Sequence, residues 1–156
     1  MAQVWRDKKY SILAERLVEK GTGYCGQKIF LTFRDLMVFA AMVGFHHSKK
    51  NLVLVNDRAF EIPQRVFEYT EADAYVYLCA LQDQKSGEIF REKNENECWR
   101  IFESYANSGL EIIDNWLLDS PGDIDGVDTI LNEMKKVAAD LIKSDEISPD
   151  LDSIEF

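Results

Sequence analysis

The sequence is poor in the residues from which catalytic and metal sites are most often built. It has only two histidines, His46 and His47, and its three cysteines form no C-x-x-C pair. Adjacent histidines point away from each other on a helix or a strand, and they lack the i, i+4 spacing of a helical metal pair. A catalytic nucleophile needs a base such as histidine within reach, and the only two histidines of this chain are adjacent in one basic turn. We therefore expect no enzymatic activity, no metal and no cofactor.

Positive charge is also scarce. The chain carries 18 Lys and Arg against 28 Asp and Glu, for a formal net charge of -10. An acidic chain gains little from counterion release on DNA, so this balance disfavours duplex binding. The densest basic stretch is residues 46–50, HHSKK. Clustering of charge matters more than the total, so a local basic face for nucleic acid or another anion remains an alternative. Its members are Lys8, Lys9, His46, His47, Lys49, Lys50, Arg58 and Arg65.

Long apolar runs are absent as well. The longest, residues 36–45, would rise only about 15 Å as a helix, half of the roughly 30 Å needed to cross a bilayer. The first ten residues, MAQVWRDKKY, lack the apolar region of a signal peptide. The number of cysteines is odd, and two of the three, Cys79 and Cys98, lie in apolar helical patterns, which is typical of buried thiols in a reducing compartment. We expect a cytoplasmic protein without a membrane partner.

The same apolar run predicts the centre of the fold. Thr32 and Asp35 resemble a capping box at its start, and Gly44 is a candidate C-cap. Only Arg34 and Asp35 are polar, and both lie in the first turn, so the helix should be buried nearly all round. We predict a buried central helix over residues 32–44.

Other helices follow from apolar spacing of three and four residues. We predict them over residues 7–20, from a Thr70–Asp73 capping box to residue 84, and over residues 98–105, 110–117 and 127–142, with Gly109 as a cap or a bend. The β-rich run at residues 52–55, a turn, and residues 59–62 predict one small β-hairpin near residues 52–62. The fold class is thus mainly α: a single compact helical domain of about six helices over residues 1–143.

Acidic residues dominate the end of the chain. No basic residue follows Lys143, whereas Asp145, Glu146, Asp150, Asp152 and Glu155 do. This pattern is typical of a disordered segment. We predict an acidic, disordered tail over residues 144–156.

Two tryptophans lie outside the apolar rows of their helices. Trp99 and Trp116 either pack against neighbouring helices or, if exposed, anchor a protein interface. The sequence leaves both interpretations open.

Three stretches together resemble a known family: KKYSILAERLVEK, TFRDLMVFAAMVGFHHSKK and IFESYANSGLEIIDNWL. They are similar to the small accessory proteins of bacterial dnd-type DNA phosphorothioation systems, called DNA phosphorothioation-associated protein 4. The similarity covers roughly residues 5–118. It implies a role beside the proteins that put sulfur into the DNA backbone, or beside those that cut unmodified DNA. It brings no catalytic residues with it.

The leading hypothesis is therefore a non-catalytic accessory subunit of such a modification and restriction (defence) system. It would act through contacts with the protein subunits of that system. The alternative is a DNA-binding module that uses the basic face around residues 46–65.

Overall fold

The structure, a computed structural model, describes residues 1–19 and 28–147. This part of the chain contains six α-helices and one two-stranded antiparallel sheet, so the predicted mainly α class is confirmed. The elements are β1 Gln3–Asp7, α1 Ser11–Ala14, α2 Phe33–His46, β2 Arg58–Pro63, α3 Gln64–Glu68, α4 Asp73–Gln84, α5 Glu95–Leu118 and α6 Val127–Ile147. Residues 20–27, which include Cys25, lie outside the described part of the chain.

Helix α2 is the predicted buried helix. Its N-cap is Thr32, whose Oγ1 accepts a hydrogen bond from the Asp35 N–H at 3.2 Å, as the capping pattern predicted. Burial is less complete than expected: one side is fully buried, and the side that carries Phe39 and Met42 is half-buried. Gly44 is no C-cap, because the helix continues past it to His46.

Helix α5 shares the centre of the fold with α2, and two glycines let these helices approach closely. A Cβ on Gly109 would overlap the backbone of Ala40, and a Cβ on Gly44 would overlap the Tyr105 carbonyl. Both glycines therefore serve close packing between helices rather than helix termination.

The predicted break at residues 107–109 is absent, because α5 runs without interruption from Glu95 to Leu118. Asn107 is buried at 1% exposure, and β1 satisfies its side chain. Its Oδ1 accepts from the Asp7 N–H at 2.9 Å, and its Nδ2 donates to the Trp5 carbonyl at 2.8 Å. Asn107, which resembles a helix breaker in the sequence, thus forms tertiary hydrogen bonds to β1 from within a continuous helix. Local sequence signals do not reveal such a long-range role.

The two-stranded sheet is present, but its pairing differs from the prediction. Strand β2 covers the predicted second strand, whereas its partner is β1, with Val4 opposite Ile62 and Arg6 opposite Phe60. Residues 52–54 are irregular instead, and Leu52 and Leu54 are exposed. The hairpin prediction was therefore wrong. Strand β1 pairs with β2 and buries side chains such as Val4 in the core. Residues 52–54 would bring no comparable burial, because Leu52 and Leu54 are exposed.

The predicted first helix, residues 7–20, is shorter and less regular than expected. Its first residue belongs to β1, a 3₁₀ turn covers Lys8–Tyr10, and α1 then passes into a widened π-type turn at Glu15–Glu19. At the other end of the chain, α6 continues to Ile147, past the predicted boundary at residue 143. Disorder over residues 148–156 stays a prediction, because those residues lie outside the described part.

Candidate functional site

The predicted basic face is largely neutralised by acidic neighbours. Lys8 Nζ lies 2.9 Å from Asp57, and Lys9 Nζ lies 3.7 Å from Asp7. On the adjoining loop, Lys49 Nζ lies 3.0 Å from a Glu111 carboxylate oxygen. Hydrogen bonds from Lys49, and then from Asn51, hold the pKa of Glu111 below its usual range.

Lys50 belongs to a network that fixes the loop after α2 to the helices beneath it. Its Nζ lies 2.9 Å from Asp83 Oδ1, which also accepts a 2.5 Å hydrogen bond from the Tyr105 hydroxyl. Burial acts to raise the pKa of Asp83, but hydrogen bonds from Tyr105, Lys50 and Gln84 outweigh it, and the pKa is lowered. Burial, and then the bond to Asp83, raise the pKa of Tyr105. The charge of Lys50 is therefore paired with the Asp83 carboxylate within this network.

The two arginines of the predicted face lie apart from that loop. Arg58 begins β2, where its guanidinium carbon lies 5.4 Å from the centre of the Trp5 ring. Arg65 is exposed on the short helix α3. The structure thus pairs four of the eight residues, Lys8, Lys9, Lys49 and Lys50, with carboxylates, and it does not gather the eight into one uniformly positive surface.

The two tryptophans take different positions. Trp99 is 1% exposed, and its ring meets Phe67 edge-on at 5.4 Å, so it packs in the core and offers no surface to a partner. Trp116 is half-buried near the end of α5, and its ring lies 6.3 Å from that of His47. Trp116 therefore lies at the wall of a surface groove.

An apolar groove runs between α2, the end of α5 and α6, with a volume of about 260 Å³. We call it the α2–α6 groove. Its lining comprises Phe39, Met42, Val43, His46, His47, Trp116, Glu133, Met134, Val137, Ala138 and Leu141. Most of these side chains are apolar, which is typical of sites that bind the apolar face of another segment.

Helix α6 is attached firmly at its first turn. Asp123 Oδ2 accepts hydrogen bonds from the Thr129 N–H at 2.7 Å and from its hydroxyl at 2.6 Å. The bond from the Thr129 hydroxyl is the main cause that holds the pKa of Asp123 below its usual range. Arg16 Nη2 donates to the Ile124 carbonyl at 2.6 Å, and Ile130 is buried. The acidic loop before α6 thus caps and positions a helix.

Beyond that first turn, α6 leaves much of its apolar stripe uncovered. Four large side chains are about half exposed: Leu131 at 45%, Met134 at 50%, Leu141 at 57% and Ile142 at 62%. Val137, which faces the body, is only half-buried. A surface helix normally turns its apolar stripe to the core, whereas much of this stripe is accessible at the surface of the described residues.

The uncovered surface extends from the groove across α2. Phe39 and Met42 also line a second concavity with Phe30, Val38 and Tyr75. The rings of Phe30 and Phe39 lie 5.2 Å apart. The half-buried side of α2 therefore lines both concavities, through Phe39 and Met42.

The described residues contain little that resembles a catalytic or metal centre. Among them, no group of three or more His, Cys, Asp or Glu is placed to hold a metal ion. Cys79 and Cys98 are both buried, and burial raises the pKa of Cys79 to about 12, so its thiol is unreactive. In the same part of the chain, no helix is long and apolar enough to cross a membrane.

A family model described as DNA sulphur modification system-associated protein 4 matches residues 5–152. The chain belongs to this family. The match covers most of the chain, whereas the resemblance found from the sequence covered roughly residues 5–118. Because the match includes α6, this helix is part of the family's domain. Neither the curated proteins nor the solved structures give a significant match.

Sequence reasoning found the separate parts of the groove in this member of the DNA sulphur modification system-associated 4 family, but not the groove itself. The apolar stripe of α6 and Trp116 were recognisable from spacing and residue type. The loop over residues 119–126 holds only the first turn of α6, so the packing of this helix near its start depends on how that loop folds. The capping carboxylate Asp123 and the left-handed Gly126, with φ of 79°, were the available signals for how that loop ends.

Proposed function

We propose that this protein is a non-catalytic accessory subunit of the DNA sulphur modification system, and that it binds another protein of that system through the α2–α6 groove. Membership of a family named for its association with the system supports the setting. The observation that carries the proposal is the apolar stripe of α6, which stays about half exposed although the helix is firmly capped.

The proposed contact is of the kind in which an apolar helical or extended segment enters a groove. Exposed leucine and methionine side chains provide apolar area, and Trp116 provides the kind of aromatic anchor that is enriched at binding hot spots. Since the DNA of a bacterium lies in its cytoplasm, we place this contact there. The protein would act by holding a partner subunit in position rather than by chemistry of its own.

Capture from a host that carries the complete gene cluster tests this function. The tagged wild-type chain should recover at least one modification or restriction subunit, identified by mass spectrometry. The same capture from a host without the cluster should recover none of them. If the complete host yields no system subunit, the accessory role through protein contacts is refuted.

A DNA-binding role through the basic face has weaker support, because Lys8, Lys9, Lys49 and Lys50 are all engaged with carboxylates. Duplex binding should therefore be absent at about 50 mM salt, a condition that favours phosphate contacts. The matched comparison is Lys49→Glu with Lys50→Glu. Wild-type binding that this double variant abolishes, and that salt weakens steeply, would instead support the DNA-binding alternative through the basic face.

A further inference from the structure

Both walls of the α2–α6 groove present four side chains with the same spacing. The lining residues of α2 are Phe39, Met42, Val43 and His46, at positions i, i+3, i+4 and i+7 of that helix. Those of α6 include Met134, Val137, Ala138 and Leu141, at the same four positions. Four residues with this spacing form the hole that receives one side chain of a facing helix in knobs-into-holes packing. Each wall of the groove therefore has the pattern that receives a helix.

The hole on α6 is open. Ala138 contributes only a methyl group and is exposed, and Met134 and Leu141, one turn to either side, are 50% and 57% exposed. No side chain of the described residues therefore fills this hole. Each set of four residues covers about 10 Å along its helix, or about two turns. A ligand that fills both walls needs at least this length.

The backbone of the walls excludes an extended ligand. Every lining residue except His47 lies within α2, α5 or α6, where helical hydrogen bonds already occupy the backbone groups. An extended segment would find no backbone partner there, and its own N–H and C=O groups would be buried unpaired against apolar side chains. A helix satisfies its backbone internally. It is therefore the conformation that fits this groove.

The charge of the lining restricts the inner face of such a helix. Glu133 is the one carboxylate among the lining residues, and Lys136 Nζ lies 2.7 Å from it. The other titratable groups of the lining are His46 and His47, which lie together at the end of α2. Away from that end, an ionised side chain between the two walls would be buried without a counterion. An uncharged apolar face therefore matches the groove.

We propose that the α2–α6 groove binds an amphipathic helix of the partner subunit, whose apolar side chains at i, i+3 or i+4, and i+7 enter the holes on α2 and α6. The bound helix covers the exposed stripe of α6 with its apolar face and leaves its polar face to water. That this helix comes from a subunit of the system rests on the proposed function. The preference for a helix concerns the isolated chain alone.

Peptide selection tests that preference on the isolated chain. A phage library of random peptides of about 16 residues, enough for about four helical turns, is depleted on Leu141→Asp and then selected on the wild-type full chain. We expect enriched peptides with apolar residues at i, i+3 or i+4, and i+7, whose circular dichroism becomes helical on binding. Enriched sequences that alternate with period two, bound peptides that are not helical, or no groove-dependent enrichment would overturn the proposal.

Filling the hole on α6 is the complementary test. Ala138→Phe places a ring between Met134 and Leu141, so it should weaken binding of the selected peptides at least about tenfold by excluding an anchor side chain. Ala139→Phe is the matched control, since it makes the same change at an exposed residue of α6 that does not line the groove. Equal binding by the two variants would contradict the proposal.

The captured subunit separates this proposal from the proposed function. Ala138→Phe should recover less of the subunit than Ala139→Phe does. If the two variants recover it equally, the helix proposal fails and the accessory role stands. If the selected peptides bind the groove as helices but capture recovers no subunit, the proposed function fails and the preference for a helical ligand stands.

Discussion

The close approach of α2 and α5 leads to a sharp prediction for Gly109→Ala. The alanine Cβ would lie 2.9 Å from the Cα of Ala40 and would overlap the carbonyl group of the same residue. These are backbone atoms, so no side-chain rotation relieves the overlap, and the helices must move apart. The substitution thus disturbs the packing at the centre of the fold.

The expected loss combines two opposing effects. Overpacking a core costs about 1–3 kcal/mol, and backbone overlap favours the upper end of that range. Alanine in place of glycine inside a helix returns about 1 kcal/mol through backbone propensity. The net destabilisation is therefore about 2 kcal/mol, which corresponds to a fall in Tm of about 4–8 °C for a chain of this size.

Urea and thermal unfolding followed by circular dichroism measure this loss. Gly87→Ala is the matched control, because a Cβ there meets no atom within 4 Å. It should leave the free energy of unfolding nearly unchanged. If Gly109→Ala is as stable as the wild type or the control, the close helix crossing described above is wrong.

Three further predictions concern the caps, the ion pairs and the thiols. Thr32→Ala should lower the free energy of unfolding by about 1 kcal/mol in urea titrations, because α2 loses its N-cap; an unchanged midpoint would contradict the cap. Asp83 and Glu111 have lowered pKa values in the folded state, so their stabilisation is present above about pH 4 and is lost as pH falls through the folded values. Urea midpoints should drop on acidification, and less so in Asp83→Asn. Native Cys79 should react with iodoacetamide orders of magnitude more slowly than in urea, and equal rates would show that it is accessible.

Elements with strong local signals were predictable. The Thr32 cap, the buried α2 and the apolar stripe of α6 all follow from spacing and capping chemistry, which act over a few residues. The Thr70 cap predicted for α4 was wrong, because the Thr70 hydroxyl donates to the Val66 carbonyl at 3.1 Å and α4 begins only at Asp73. The other end of α4, at Gln84, was placed well, since Ser86 and Gly87 terminate the apolar pattern. Such features depend little on the rest of the fold.

Long-range choices were not predictable. Strand β2 has a local candidate partner at residues 52–55, and only the tertiary packing of Val4 selects β1 instead. Gly109 resembles a break in sequence, yet it lies within a continuous helix because α2 needs the space. The groove likewise depends on where the end of α5 meets α6, which no single stretch of sequence encodes.

The affinity of the captured subunit for groove variants tests the central claim most directly. Leu141→Asp places a charge in the groove at an already exposed position, whereas Leu52→Asp makes the same change at a leucine on another surface. Burying a leucine contributes about 1.5–3 kcal/mol, so Leu141→Asp should weaken binding at least about tenfold in titration calorimetry. Leu52→Asp should bind like the wild type. Unchanged affinity for Leu141→Asp, or a loss confined to Leu52→Asp, would contradict the groove as the site of partner binding.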